Sequence, residues 1–304
     1  MMRVASNQFH ATMNAALQRA QGRLESTLQK MAEGKKHLVA SEDPVSTVRL
    51  MRLSRETAAL EQYQTNIKAL QTRLNINESL LSGMVDDLTD ARDLLVWAAN
   101  GGNSSEDVNA MAGPLGVIRD GLFAVANRRD EEGRYIFSGT ATATPTITYD
   151  PMQPVGSRYS WTGNSVKQKV GVGNDVTADA NVTLEDLAAT LNQLDQAVAT
   201  LSTSGVNPND PAVRAQVNAT LNSVDSALGD ISYKIGQLGG EQNILATLLG
   251  NHENVQLSND QAYLALGQLD YGDAAVRLNG YTAALEATQK AYARVNSLSL
   301  FDVI

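Results

Sequence analysis

The residues best suited to chemistry are three histidines, His10, His37 and His252, and a group of carboxylates, Asp86, Asp87, Asp90 and Asp93. A helical metal pair needs a second His or a carboxylate four residues after the first, as in H-E-x-x-H. None of the three histidines has one there. The aspartates fall on a helical stretch but off its apolar seam, so they read as a solvated face rather than an acid–base pair. Gly171-Val172-Gly173-Asn174 lacks the third glycine and the following helix of a dinucleotide loop, and reads as a turn between strands. No nucleophile elbow, Walker loop or Ca²⁺ loop occurs. Zero cysteines exclude a disulfide scaffold, a thiolate metal site and a cysteine nucleophile. The expectation is a protein that is not an enzyme and takes no cofactor or metal.

What must be explained instead is an abundance of helix. The 304 residues are 43% hydrophobic but only 5% aromatic, so the apolar content is mostly Ala, Leu and Val, which suits long helices. The net charge of −9 lacks the basic footprint of a nucleic-acid binder. No run approaches the ~18 apolar residues of a membrane span, and the N-terminus has no apolar stretch of signal-peptide type. The first 36 residues carry six Lys/Arg against two acids. A basic start of this kind also occurs in transit peptides, but helix pairing accounts for it better.

Apolar residues recur at alternating spacings of three and four, as at a seam between helices. The clearest series is Leu60, Tyr63, Ile67, Leu70, Leu74, Asn77, Leu81, Met84, Leu88, Ala91, Leu95 and Ala98. Its single polar member, Asn77, is either a register-fixing residue in the seam or an edge residue facing water. The helix starts at Ser41-Glu42-Asp43-Pro44, with Asp43 as cap and Pro44 in the first turn, and stops at Asn100-Gly101-Gly102. A second seam runs from Val108 to Val125, and Gly113-Pro114 is expected to interrupt and kink it. Others run from Leu184 to Leu201 and from Val217 to Leu238, with drifting register past Gly239-Gly240. The last seam, Leu278 to Val295, extends back through Tyr271 to Leu264.

The middle differs. Between Gly133 and Ala180, aromatics, Gly, Pro and Thr cluster, and Thr146–Tyr149 and Ser165–Val170 alternate as half-buried strands do. Tyr149, Tyr159 and Trp161 form either the core of this insert or an exposed patch. The fold class is therefore mainly α, long helices from both chain ends in a bundle or coiled coil, with a small inserted β domain. Three domains are expected: 1–40 with 265–304, 41–134 with 182–264, and the insert 135–181. The two end helices carry stripes suited to pairing with each other and with other chains. On one the packing residues are Leu17, Leu24, Leu28 and Met31; on the other they are Leu278, Tyr281, Leu285, Tyr292, Val295 and Leu298. The stripe of the first helix contains the small or polar Ala20 and Thr27, and Gly22 weakens the helix itself, which favours packing on another chain.

Gly34-Lys35-Lys36 leading to Ser41-Glu42-Asp43-Pro44, and Leu269-Asp270-Tyr271-Gly272-Asp273-Ala274-Ala275 with the ending Ser297-Leu298-Ser299-Leu300-Phe301, resemble the two ends of flagellins and their relatives. Gly133-Arg134-Tyr135-Ile136-Phe137-Ser138-Gly139 and the start Met2-Arg3-Val4-Ala5 are similar to the branch of that family that joins hook to filament. The resemblance covers nearly the whole chain. It implies a structural protein of the bacterial flagellum, located outside the cell and exported unfolded without a cleavable signal. Its terminal helices would line the inner tube of the axial structure, with the insert facing outward. The implied partners are further copies of itself, the first hook-associated protein, flagellin and an export chaperone, with no nucleic acid and no membrane insertion. A short flagellin that polymerises by itself, or a surface adhesin carried by the insert, are the alternatives.

Overall fold

The computed structural model describes residues 2–298, with helical side chains described from 8 to 294. Six helices and four short strands follow one another: α1 Met2–Glu33, α2 Pro44–Ala98, α3 Ser105–Ala126, β1 Ile147–Tyr149, β2 Tyr159–Trp161, β3 Lys169–Gly173, β4 Val176–Asp179, α4 Leu187–Leu201, α5 Pro211–Gly267 and α6 Tyr271–Leu298. Contacts divide the chain into two compact units, Met1–Leu60 with Asn254–Ile304, and Glu61–Glu253. The architecture is mainly helical, flagellin-like, with a small β insertion.

The second unit, Glu61–Glu253, holds the core. Within it the α2 seam is buried from Ile67 to Ala98, and α3, α4 and α5 contribute Leu115, Leu122, Leu191, Leu194, Val224 and Ile231. Each buried aliphatic side chain contributes about 1.5–3 kcal/mol relative to exposure. Asn77 lies in this seam, 1% exposed, and neither its Oδ1 nor its Nδ2 meets a hydrogen-bond partner among the described residues. The edge alternative is thereby excluded.

Local signals set the helix limits. Ser104 and Asp107 form a reciprocal capping box at the start of α3, and the bonds the Asp107 carboxylate accepts from Ser104 N and Ser104 Oγ hold it below the usual range. Contrary to the expected interruption, α3 runs through Gly113-Pro114. Both residues are exposed, as is Ala110, so the carbonyl that loses its intrahelical N–H donor can face water. α5 likewise continues through Gly239-Gly240, because Leu238 and Leu245 are buried on either side.

The β insertion consists of two separate antiparallel pairs, β1 with β2 and β3 with β4. Helical asparagines supply the hydrogen bonds that the short sheets lack. Asn127, at the α3 C-cap, donates to Ile147 O and accepts from Ile147 N; Asn192 of α4 does the same for Tyr159. Asn66 and His252 hold the next pair through Gly171 O and Val172 O. The strand expected at Ser165–Val170 begins instead at Lys169. Asn164 and Asn181 side chains take the amides of Val166 and Gln168, so those two N–H groups donate to no strand, although Gln168 O still accepts from Ala180 N. Gly171, Val172 and Gly173 lie in β3 rather than in a turn. The turn is Asn174-Asp175, with Asp175 at φ 56°, and a bulge falls between Gly171 and Gly173. Tyr159 is buried in a ring cluster with Phe123 and Tyr149, while Tyr149 stays exposed.

The Gly133–Gly139 segment has a structural explanation. Tyr135, Ile136, Phe137 and Ser138 are buried, and Gly139 sits at φ +73° against the Asn164 backbone carbonyl. Only glycine fits there.

Candidate assembly surface

The chemistry-bearing residues do not converge. His10 lies against Phe9 and Tyr292, His37 beside Glu42 and Asp43 at 3.6 and 3.7 Å, and His252 on Val172 O. Among the described residues no group of three His, Asp or Glu is placed to hold a metal ion. Asp86, Asp90 and Asp93 are exposed on α2. The Asp87 carboxyl is raised, first by partial burial and then by Asp90 and Asp86. No helix of the described residues is long and apolar enough to cross a membrane.

The first unit, Met1–Leu60 with Asn254–Ile304, is where sequence and burial disagree most with an ordinary core. α1 and α6 pack on each other. His10 meets the Tyr292 ring at 5.6 Å near one end of the pair, and Tyr271 Oη donates to Met31 O at the other. Leu17, Leu24 and Met31 on α1 are half-buried, as are Leu278, Tyr281, Leu285 and Tyr292 on α6. Leu28 points off this seam and is 49% exposed. The side chains of Val295 and Leu298 lie outside the described residues, as do residues 299–304.

Both helices meet α2 and α5 across a small junction. Lys36 N donates to Gly267 O and Leu269 N to Gly34 O, so the segments around Lys35 and Gln268 pair as a short antiparallel bridge. Gly34 takes φ +68° beneath the Tyr271 hydroxyl. This junction breaks the last seam, which does not run unbroken from Leu264 to Val295. Asp270 accepts from Gly272 N and Asp273 N and starts α6 afresh. At the other side, α2 begins at Pro44. Asp43 accepts from Ser46 N at 3.0 Å and from Ser46 Oγ at 2.7 Å, and these bonds lower its carboxyl pKa. Lys30 pairs with Glu42 at 2.8 Å and holds that carboxyl low as well.

Fully buried apolar side chains are scarce in this unit. Among the described residues only Leu53, Leu60 and Ala274 qualify, and none comes from α1. Apolar side chains stand exposed instead: Val45, Val48 and Met51 on α2, Leu257 and Leu264 on α5, and Val276 on α6. The end-helix stripes were legible in sequence, but this second apolar face on α2 and α5 was not read there. Its signal was the i, i+3, i+6 series of Val45, Val48 and Met51.

Residues 4–142 match the bacterial flagellin N-terminal helical region. Over 293 residues, 90% of this chain and 91% of the relative, it is 25% identical to flagellar hook-associated protein 3 of Escherichia coli K12. With the Salmonella typhimurium protein of the same name it shares 25% over 326 residues, 99% of each chain. A solved structure assigned as a flagellar hook-associated protein of Vibrio parahaemolyticus is 31% identical, with a TM-score of 0.66 over 74% of this chain and 99% of that one. The chain belongs to the flagellar hook-associated protein 3 family. This is a structural flagellar family, not an enzymatic one, and its members assemble in the flagellar axial structure. The Legionella pneumophila flagellar junction protein FlgL, at 16% identity and TM-score 0.58, shares the fold.

Proposed function

We propose that this chain is the junction between hook and filament, with the first hook-associated protein on one side and flagellin on the other. The observation that carries this is the thin core of the first unit. Helices of marginal intrinsic strength, with half-buried seams and a second exposed apolar face, need other chains to become stable. Packing in the axial structure supplies that surface, and the ordering cost of the ends falls at assembly. Segments 1–40 and 265–304 then form the inner layer, 41–134 and 182–264 the next, and 135–181 the outer face. An export chaperone shields the C-terminal helix before secretion. A deletion strain tests the reading. Complete hooks with flagellin shed into the medium are expected, and filaments still attached to the hooks would refute it. Purified chain that polymerises alone into long filaments would favour a short flagellin instead.

A further inference from the structure

Between α1 and α6 lies a groove of about 700 Å³ lined by five basic side chains, Arg19, Arg23, Lys30, Lys36 and Arg277, against two acidic ones, Asp270 and Asp273. Lys30 and Arg277 have acid partners, but Arg19 and Arg23 form no ion pair among the described residues. Arg19, Arg23, Ser26 and Lys30 follow i, i+4, i+7, i+11. At about 100° per residue they share one stripe about 60° wide.

A stripe of opposite sign has the same spacing. Asp86, Asp90, Asp93 and Trp97 on α2 also follow i, i+4, i+7, i+11. They stand opposite the buried Met84, Leu88, Ala91 and Leu95. The three aspartates are exposed and form no ion pair among the described residues, and Trp97 is a large aromatic left 49% exposed. The charge is divided in the same sense. The unit Glu61–Glu253 carries 12 Lys/Arg against 23 Asp/Glu, a net −11, so the other unit must be +2 of the total −9.

We infer that the α1–α6 groove of one copy receives the Asp86–Trp97 stripe of a second copy. Set side by side in parallel, the two helices oppose Arg19 to Asp86, Arg23 to Asp90, Ser26 to Asp93 and Lys30 to the Trp97 ring. These are two cation–carboxylate pairs, one hydroxyl–carboxylate hydrogen bond, and packing of the Lys30 methylene stem on the indole while its ammonium stays with Glu42. The contact is heterologous, head of one copy to body of the next, which is the kind that builds rings and helical arrays. It deepens the junction reading and rests on it, because it presupposes that copies are neighbours in the flagellum.

The absence of cysteine makes the test clean. Full-length Arg23→Cys and Asp90→Cys chains are co-produced in cells lacking the native gene, and isolated flagella are treated with a short bis-maleimide cross-linker. A covalent dimer of this chain is expected from the mixture and from neither variant alone. Assembled flagella without that dimer, or with a product of different mass, overturn the inference while leaving the junction reading intact. Charge exchange gives a second readout. Arg23→Glu with Arg19→Glu should cut motility at least tenfold, and adding Asp86→Lys and Asp90→Lys should restore most of it. No restoration, or no loss from the first pair, also overturns the inference. Failure of the junction reading shows separately, as attached filaments in the deletion strain.

Discussion

Asp195 is the residue whose removal most directly tests how the β insertion is held. It sits on α4, 2% exposed, and three groups converge on it. Arg119 Nη1 reaches Oδ1 at 2.8 Å, Gly156 N donates to Oδ2 at 3.2 Å, and Arg158 Nη1 stands 3.7 Å from Oδ2. The last two come from the β1–β2 connection, so the carboxylate ties that hairpin to α3 and α4. Asp195→Ala leaves an amide unpaired, about 1–3 kcal/mol, and half of a buried ion pair, about 3–5 kcal/mol. Arg119 keeps Asp120 through bonds of 3.0 and 2.9 Å, so its charge is not left uncompensated and the total falls below the sum of those two losses, to about 3 kcal/mol. Both tryptophans, Trp97 and Trp161, lie in the same unit as Asp195, so their fluorescence follows unfolding of that unit alone. With a urea dependence of about 2 kcal/mol/M, the midpoint should fall by about 1.5 M. The double replacement Arg119→Met, Asp195→Leu should recover most of the loss, since it leaves no buried charge behind. A fall under about 0.3 M for Asp195→Ala would refute the argument, because about 0.5 kcal/mol is what a surface pair contributes.

Gly139→Ala should cost more than about 2 kcal/mol in thermal unfolding, since it combines positive φ with a collision against backbone; a neutral result would mean that the Asn164 turn can move. Burial pushes the Tyr159 hydroxyl up to about 12. The folded chain therefore keeps that proton between about pH 10 and 12 while the unfolded chain releases it, and stability falls as pH rises through this window. Tyr159→Phe should lessen the fall, measured as urea midpoints at about pH 9 and about pH 11; parallel declines would refute the assignment. Asn77→Leu should raise the midpoint, because two unsatisfied buried polar atoms cost about 1–3 kcal/mol each, partly offset by overpacking; a loss above about 1 kcal/mol would show that the amide is satisfied in solution. Leu24→Asp should leave tryptophan-detected stability within about 0.5 kcal/mol yet abolish motility; swimming cells would show that the α1 stripe does not carry assembly.

Period-based reading worked where one helix face is fully covered. Every member of the Leu60–Ala98 series except Tyr63 is buried, because the three-four spacing and the core it faces coincide along that whole length. It failed where side chains replace backbone partners. Nothing in the alternation of Ser165–Val170 reveals that Asn164 and Asn181 will take the local amides. It failed again at 268–270, where the seam spacing continues across a break. There Asp270 and the pairing with Gly34 and Lys36 decide, and the second partner is more than 230 residues away in sequence. Such a non-local pairing leaves no periodic trace.

The same spacing has opposite outcomes in α1 and α2, and that contrast argues for function. Both helices repeat apolar residues every three or four positions, yet α2 is buried from Ile67 to Ala98 and α1 has no buried side chain among the described residues. Periodicity states which face will be covered, not by what. In α2 the cover is supplied by α3, α4, α5 and the β insertion, all within the chain. For α1 the described residues supply chiefly α6, and a helix pair covers only a narrow stripe on each member. Ala20 and Thr27 add little apolar area to that stripe and Gly22 weakens the helix itself, so the stripe alone stabilises α1 poorly. Retaining 32 helical residues with so little cover is accounted for if the missing layer comes from neighbouring subunits. A substitution on α1 should therefore register in assembly before it registers in the stability of the isolated chain.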